Sequence, residues 1–376
     1  MTHMTDYQCP VCGVRAPVES LAWCCPRCRG PWDLDFSAGA VPRDSLAARA
    51  GSLWRYEEAL PLGAAGATGG GPAAVSLGEG RTPLVPLTGT VTAKLDFLMP
   101  TLSFKDRGAV MLAELARHLK PRRVIADSSG NAGTAIAAYC ARAGLDCTVY
   151  VPEATSPKKI EQIAAHGARP DLVPGDREAA ARRAHAAAGE DGVFYASHVH
   201  NPYFLHGTKT YVYEVWEDLG GRLPDALVLP AGNGTLLLGA HLAVGELYAH
   251  GLIAQRPALI AVQAAAVAPL AAAFHAGEQD ATPAAAAPTL AEGIAIPDPP
   301  RARQILSAVR ASGGTFHTVT DDQIRAAQLD LAARGLFVEP TGAACWAAVR
   351  AHGLGDRTAV VPLCGAGAKT GLATGG

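Results

Sequence analysis

Apolar runs of strand length recur along most of this chain, each closed by a turn of small residues and followed by a stretch of helical periodicity. In "RRVIADSSGNAGTAIAAYCARAG" the pattern predicts a strand to about Asp127, a tight turn, and a helix from about Asn131. "DCTVYVP" predicts the next strand, "SPKKIEQIAAHGA" a helix opened by Ser156 and Pro157, "REAAARRAHAAAG" another helix, and "GVFYAS" another strand. Farther on, "DALVLPAGNGT", "PALIAVQA" and "TAVVPLCGAG" each join a Val/Leu/Ile run to a turn of small residues. Strand, glycine turn and helix in repetition predict an α/β body built on parallel sheet covered on both faces.

Two segments break the rhythm. "GAAGATGGGPAAV" at Gly63 to Val75 is too rich in Gly and Ala to pack and reads as a linker, so a catalytic body is expected from about Ser76 to residue 376. "AAAFHAGEQDATPAAAAPT" at Ala271 to Thr289 reads as a long surface loop, or a helix followed by one.

Composition narrows the function classes. The 376 residues are enough for two domains, or for one large body with an appendage. Hydrophobic residues at 49% and charged residues at 18% describe a globular chain, not a disordered one. The net charge of −2 gives no global attraction for nucleic acid or an anionic membrane, so a small metabolite is the expected partner. The first residues lack a basic and then apolar leader pattern, and no apolar run approaches membrane-spanning length, which predicts a cytoplasmic protein.

Five of the nine cysteines fall within the first 28 residues, as "CPVC" and "CCPRC". Two Cys-x-x-Cys turns place four thiolates around Zn²⁺, which then holds together a segment too small to have its own core. The expected ligands are Cys9, Cys12, Cys25 and Cys28, with Cys24 to spare, in a Cys-rich segment and linker over residues 1–60. Four cysteine ligands leave no open position, so such an ion is structural. A redox pair and a ribbon without metal are the competing readings, because the loop between the pairs is short.

In sheets of this kind ligands bind beyond the carboxyl ends of the strands. Three turns qualify there: "SSGNAG" (Ser128 to Gly133), "GNGT" (Gly232 to Thr235) and "CGAG" (Cys364 to Gly367). The last two expose backbone N–H groups at a helix start and suit an anion. None fits the Walker or dinucleotide fingerprints, which disfavours an NTPase or a dinucleotide enzyme. "SFKDRG" at Ser103 to Gly108 adds one of only seven lysines. Lysine, unlike arginine, can shed its proton and act as a nucleophile.

"LGEGRTPL", "SFKDRG", "SSGNAG", "HGTKTYVYEV", "GNGT", "EPTGAA" and "PLCGAGAKT" occur in the order seen in threonine synthases, and from about Ser76 onward the chain resembles that family. These are fold type II enzymes dependent on pyridoxal 5′-phosphate (PLP), of the tryptophan synthase β superfamily; some members also carry a cysteine-rich start. The resemblance implies two doubly wound open-sheet subdomains, the smaller, over approximately 100–210, inserted in the larger, and a homodimer.

It also assigns roles. Lys105 is similar to the lysine that forms the Schiff base with PLP and then shuttles protons. Asn131 resembles the contact to the PLP 3′-oxygen, and Ser129, Asn131, Ala132 and Gly133 the receiver of the substrate carboxylate. Gly232, Asn233, Gly234, Thr235 and Leu236 match the loop that holds the PLP phosphate. Cys364 stands where threonine synthases have Thr or Ser opposite the pyridine nitrogen, as in some serine dehydratases; a buried packing role is the alternative. Asn201 and Phe204 fall in the segment expected to meet the substrate.

Departures from the family pattern bear on the substrate. Phe204 replaces an arginine that helps bind the phosphate of O-phosphohomoserine, unless it belongs to the core, and His206 and Thr208 replace the usual Glu and Gln. Leu102 replaces a glycine before Ser-Phe-Lys. Ser197, His198, His200 and Lys209 are the nearby candidates to compensate. The leading expectation is a lyase of threonine synthase type, converting O-phosphohomoserine to threonine and phosphate by γ-elimination and β-addition of water. Elimination or replacement on another amino acid, and a serine or threonine ammonia-lyase, are the enzymatic alternatives. A PLP-binding or ribbon-mediated interaction protein is the non-enzymatic one.

Overall fold

A computed structural model describes residues 5–62 and 74–372; most of the glycine-rich segment expected as a linker lies outside them. The chain divides into two compact units, Met1–Glu79 with Lys105–Gly207, and Gly80–Phe104 with Thr208–Gly376.

The first unit is built on four parallel strands: β6 (Arg123–Ala126), β7 (Cys147–Pro152), β8 (Arg169–Val173) and β9 (Val193–Tyr195), in the order β8-β7-β6-β9. Alternation along these strands sorts the core into two layers. Val124, Ala126, Val149, Val151 and Phe194 face a cluster that includes α1 (Lys105–Leu119), α2 (Asn131–Ala143) and Ile163 of α3 (Pro157–Ala165). Ile125, Tyr150, Val193 and Tyr195 face the small residues Ala180, Ala184 and Ala187 of α4 (Arg177–Ala187). Local signals open these helices: Pro157 takes the first turn of α3 as predicted, while Ser156 is its N-cap without a side-chain bond, and the Asp176 carboxylate caps α4 by accepting from the Ala179 N–H at 2.9 Å. A short helix, α5 (Pro202–Thr208), follows β9.

The cysteine-rich segment forms a small antiparallel sheet, β2-β1-β3, from β1 (Tyr7–Gln8), β2 (Arg15–Ala16) and β3 (Asp33–Leu34). It has no separate core. Tyr7, Cys9, Val18, Cys25 and Trp32 are buried in the same cluster as α1 and α2.

The second unit carries six strands in the order β12-β11-β10-β13-β5-β4: β4 (Leu84–Pro86), β5 (Val91–Lys94), β10 (Ala226–Pro230), β11 (Ala258–Ala264), β12 (Thr315–Val319) and β13 (Ala359–Pro362). All pairings are parallel except β4 with β5. Its helices are α6 (Thr210–Asp218), α7 (Thr235–Ala249), α8 (Pro269–His275), α9 (Ala302–Ala311), α10 (Asp321–Ala333) and α11 (Pro340–His352). Thr320 and Gln323 form a reciprocal capping box at the start of α10. The Ala-rich stretch from Ala271 is the end of α8 followed by a loop. Beneath the sheet, Lys94 and Glu214 pair at 2.9 Å with both side chains fully buried, and Asp218 joins Lys94 at 3.2 Å.

Candidate active site

Lys105 is the first residue of α1, half-buried in the first unit. Its Nζ lies 5.6 Å from the centroid of the Phe204 ring, within the range of a cation–π contact. Phe204 is fully buried and its ring lies against Gly108, where a Cβ would meet it at 2.4 Å. The glycine of "SFKDRG" is thus what lets the ring approach α1. The ring at 204 is a core residue and a neighbour of Lys105 at once.

His198 stands edge-on to Phe204 at 5.8 Å. Burial holds its imidazole well below the usual histidine range, and the charges of Lys105, Arg177 and His200 push the same way. The surroundings of Lys105 on this side are therefore an aromatic ring and a neutral imidazole.

The segment from Ser197 to His206 is tightly held. Ser197 Oγ accepts from the N–H groups of Val199 and His200, and Asn201 Oδ1 accepts from the Tyr203 N–H at 3.0 Å. Asn201 Nδ2 donates to the Tyr7 hydroxyl at 3.2 Å. Both ends of that amide serve the protein, and Asn201 is buried. The geometry thus gives Asn201 a part in shaping the segment. His200 is likewise occupied, with Nδ1 3.2 Å from Ser197 Oγ and its ring against Trp23.

The turn before α2 is half-exposed from Ser128 to Asn131, and Ser129 and Asn131 lie on it. No side chain caps α2. Gly130 N–H donates to Ser128 Oγ at 3.3 Å, and at Gly133 a Cβ would sit 1.8 Å from the Ser128 carbonyl oxygen. Only glycine at 133 permits this tight turn, which brings Ala132 and Gly133 into the first turn of a helix whose N-terminal end favours an anion.

In the second unit, Gly232 and Asn233 lead into α7, whose N-cap is Gly234 and whose first residues are Thr235 and Leu236. Gly234 has φ +71°, and a Cβ there would meet Ile305 at 2.3 Å. No side chain caps this helix either. An uncapped helix start reached through glycines fits a phosphate group.

Cys364 is buried at the end of β13, and its carbonyl accepts from the Phe104 N–H at 2.9 Å. The Ala366 N–H donates to Leu102 O at 3.0 Å. The "CGAG" turn is therefore bonded to the backbone immediately preceding Lys105. Leu102 adopts φ +62°, the left-handed conformation, which accounts for the glycine usual at this place in the family the sequence resembles. Ser103, fully buried beside Gly365, has an Oγ without a hydrogen-bond partner among the described residues. A buried hydroxyl left unsatisfied by the protein is consistent with a bound group. Sequence reasoning did not single out Ser103, because an unsatisfied hydroxyl exists only in three dimensions.

Lys209, a candidate for binding a substrate phosphate, is buried and paired with Glu246 at 2.7 Å. Its partner is already within the fold.

Cys9, Cys12, Cys25 and Cys28 come together with their sulfurs within 4.8 Å of one another. Cys9 to Cys28 and Cys12 to Cys25 are 3.4 Å apart, and Cys12 to Cys28 is 3.8 Å. A zinc tetrahedron with Zn–S bonds of about 2.3 Å has S···S edges of about 3.8 Å, so this set is compatible with a metal site. Backbone N–H groups from the two turns point at sulfur, from Val14 to Cys12 and from Gly30 to Cys28. Burial raises the Cys25 thiol, but N–H groups of Cys28 and Arg27, with the Cys12 and Cys28 thiols, outweigh this and bring it down to about 7. Cys24 is buried outside the set.

Residues 75–365 match the family described as "Pyridoxal-phosphate dependent enzyme". The chain is 31% identical to the threonine synthase of Methanosarcina acetivorans, covering 92% of this chain and 86% of that protein. It is 34% identical to the threonine synthase of Mycobacterium leprae, covering 78% and 80% respectively. Among solved structures, a fungal L-serine ammonia-lyase from Rhizomucor miehei superimposes with a TM-score of 0.68 at 20% identity, covering 76% of this chain and 94% of that one. The processed threonine deaminase isoform 2 of Solanum lycopersicum gives 0.66 at 22% identity, covering 78% and 88%. These last two likenesses establish the fold type II architecture. With the matched residues spanning both units and the threonine synthase relatives covering most of its length, the chain belongs to the pyridoxal-phosphate-dependent enzymes, within the threonine synthase family.

Proposed function

We propose that the protein converts O-phosphohomoserine and water to threonine and phosphate. The observation that carries this reading is likeness to threonine synthases along nearly the whole chain, together with a lysine at the start of α1 in the same unit as the turn from Ser128 to Gly133. When bound, PLP supplies an electron sink for the carbanion that forms at the substrate α-carbon. Lys105 is the residue proposed to link the cofactor to the chain and to move the proton at that carbon. The N–H groups of the turn from Ser129 to Gly133 would bind the substrate carboxylate, and Asn131 the cofactor ring. Those from Gly232 to Leu236 would bind the cofactor phosphate, and Cys364 would face the ring nitrogen as a neutral group. Phe204 and His198 would exclude water beside Lys105 without adding charge. In the balance of the reaction the Cγ–O bond breaks and phosphate leaves with its electron pair, Cβ gives up one proton, Cγ gains one to become the methyl group, and water supplies the hydroxyl at Cβ.

A second reading is favoured by Phe204. With an aromatic ring in place of an arginine and Lys209 engaged by Glu246, the segment gives little help to a dianionic leaving group; loss of one charge-assisted contact costs about 1.5 to 3 kcal/mol. Another β- or γ-substituted amino acid, or serine or threonine undergoing ammonia loss, would then be the substrate. We further propose a structural zinc ion on Cys9, Cys12, Cys25 and Cys28, a homodimer, a cytoplasmic setting, and no nucleic-acid or membrane partner.

The deciding experiment offers O-phosphohomoserine, O-phosphoserine, serine and threonine in turn, assaying phosphate and ammonia. Phosphate and threonine from O-phosphohomoserine are expected, with turnover reduced at least about 10³-fold in Lys105→Ala. Ammonia from serine or threonine without phosphate release would select the second reading.

A further inference from the structure

Four contacts tie the cysteine-rich segment to the stretch from Ser197 to His206 within the first unit. The Tyr7 hydroxyl accepts from Asn201 Nδ2 at 3.2 Å, and the Trp32 N–H donates to the His200 carbonyl at 3.1 Å. Tyr7 and Trp32 stack on each other at 5.6 Å with their planes 11° apart. Trp23 meets the His200 ring edge-on at 5.0 Å while its face stacks on His185 of α4 at 4.2 Å. Phe36 meets His206 edge-on at 5.3 Å.

These contacts reach one stretch of chain from one side. The stretch carries Phe204, whose ring lies 5.6 Å from Lys105 Nζ, His198, edge-on to that ring, and Asn201, whose amide shapes it. Tyr7 lies two residues before Cys9, and Trp23 two before Cys25, so the frame that gathers the four sulfurs also fixes both rings.

We infer that the cysteine-rich segment is a positioning element for the substrate-facing stretch from Ser197 to His206, with Tyr7, Trp23 and Trp32 as its positioning residues. It sets where Phe204 and His198 stand relative to Lys105, and therefore which side chain of an amino-acid substrate fits there. The inference rests on the proposed reading that this stretch faces the substrate. Misplacement of a substrate-facing group by about 1 Å from a distant change costs up to about 10²-fold.

The test uses the full-length, cofactor-loaded protein and the variants Tyr7→Phe, which removes one hydroxyl, and Trp23→Leu. Amide hydrogen exchange is followed across the chain, with KM, kcat and the cofactor absorbance band. Exchange in residues 197–206 is expected to quicken at least about ten-fold in both variants, while that of α2 and the cofactor band stay unchanged. KM is expected to rise about ten-fold or more, with a smaller change in kcat. Unchanged exchange in residues 197–206, or faster exchange with KM unmoved, would overturn the inference. If the unaltered protein turns over none of the four amino acids, the substrate reading fails. Exchange then still decides the positioning role, with KM replaced by the affinity for serine from a spectral titration.

Discussion

At position 102 a leucine holds a conformation that costs an L-residue about 1–2 kcal/mol. Leu102→Gly is therefore expected to leave stability unchanged or raise it by up to about 1 kcal/mol, since glycine's extra freedom in the unfolded chain offsets about 0.5–1. Urea unfolding of the two proteins checks this; a loss above about 1 kcal/mol would mean that the Leu102 side chain, 40% exposed, packs more than it strains. His198 gives a pH prediction of definite sign. Its folded pKa is lowered by burial, then by Lys105, Arg177 and His200, so below about 6.5 the unfolded chain takes up a proton that the folded one resists. Stability is thus complete above that pH and falls as the pH drops below it. In unfolding curves from pH 7.5 to 5, His198→Gln should show a shallower fall than the parent. Lys105 stood out in the sequence because a lysine, unlike an arginine, can shed its proton and act as a nucleophile. The Asn201 bond to Tyr7 was not legible, because that partner is 194 residues away.

Helices and strands were legible wherever a local signal set their ends. Pro157 and Asp176 open α3 and α4 as their residue types demand, and the predicted start of α2 at Asn131 coincides with the helix. Strand β4 is three residues long, ends in proline and runs antiparallel at the sheet edge; too short to show a period, it was not read from the sequence. Two changes act at this scale. Gly133→Ala places a Cβ on the Ser128 carbonyl and must open the turn before α2, so kcat/KM is expected to fall at least about 10²-fold while the far-ultraviolet dichroism stays near the parent's. Lys94→Ala leaves Glu214 charged and buried beneath the second unit's sheet, at a cost of about 3–5 kcal/mol readable in urea unfolding.

For the whole molecule, metal content is the property that separates the readings of the cysteine-rich start. One zinc per chain is expected by elemental analysis, falling to a minor fraction in Cys9→Ser; full occupancy in that variant would remove Cys9 from the ligand set. The sequence by itself determined the α/β alternation, the three small-residue turns, the lysine of "SFKDRG" and the cysteine pairs. Each is encoded within a few neighbouring residues, by periodicity, by turn chemistry or by ligand spacing. Only the tertiary structure decided what those residues meet. It engages Lys209 with Glu246, seats the Phe204 ring against Gly108 and near Lys105, leaves the Ser103 Oγ without a hydrogen-bond partner among the described residues, and buries Tyr7 and Trp32 in the first unit's core. Such partners lie tens to hundreds of residues apart and are chosen by packing and by the cost of burying an unpaired polar group, which no local pattern records.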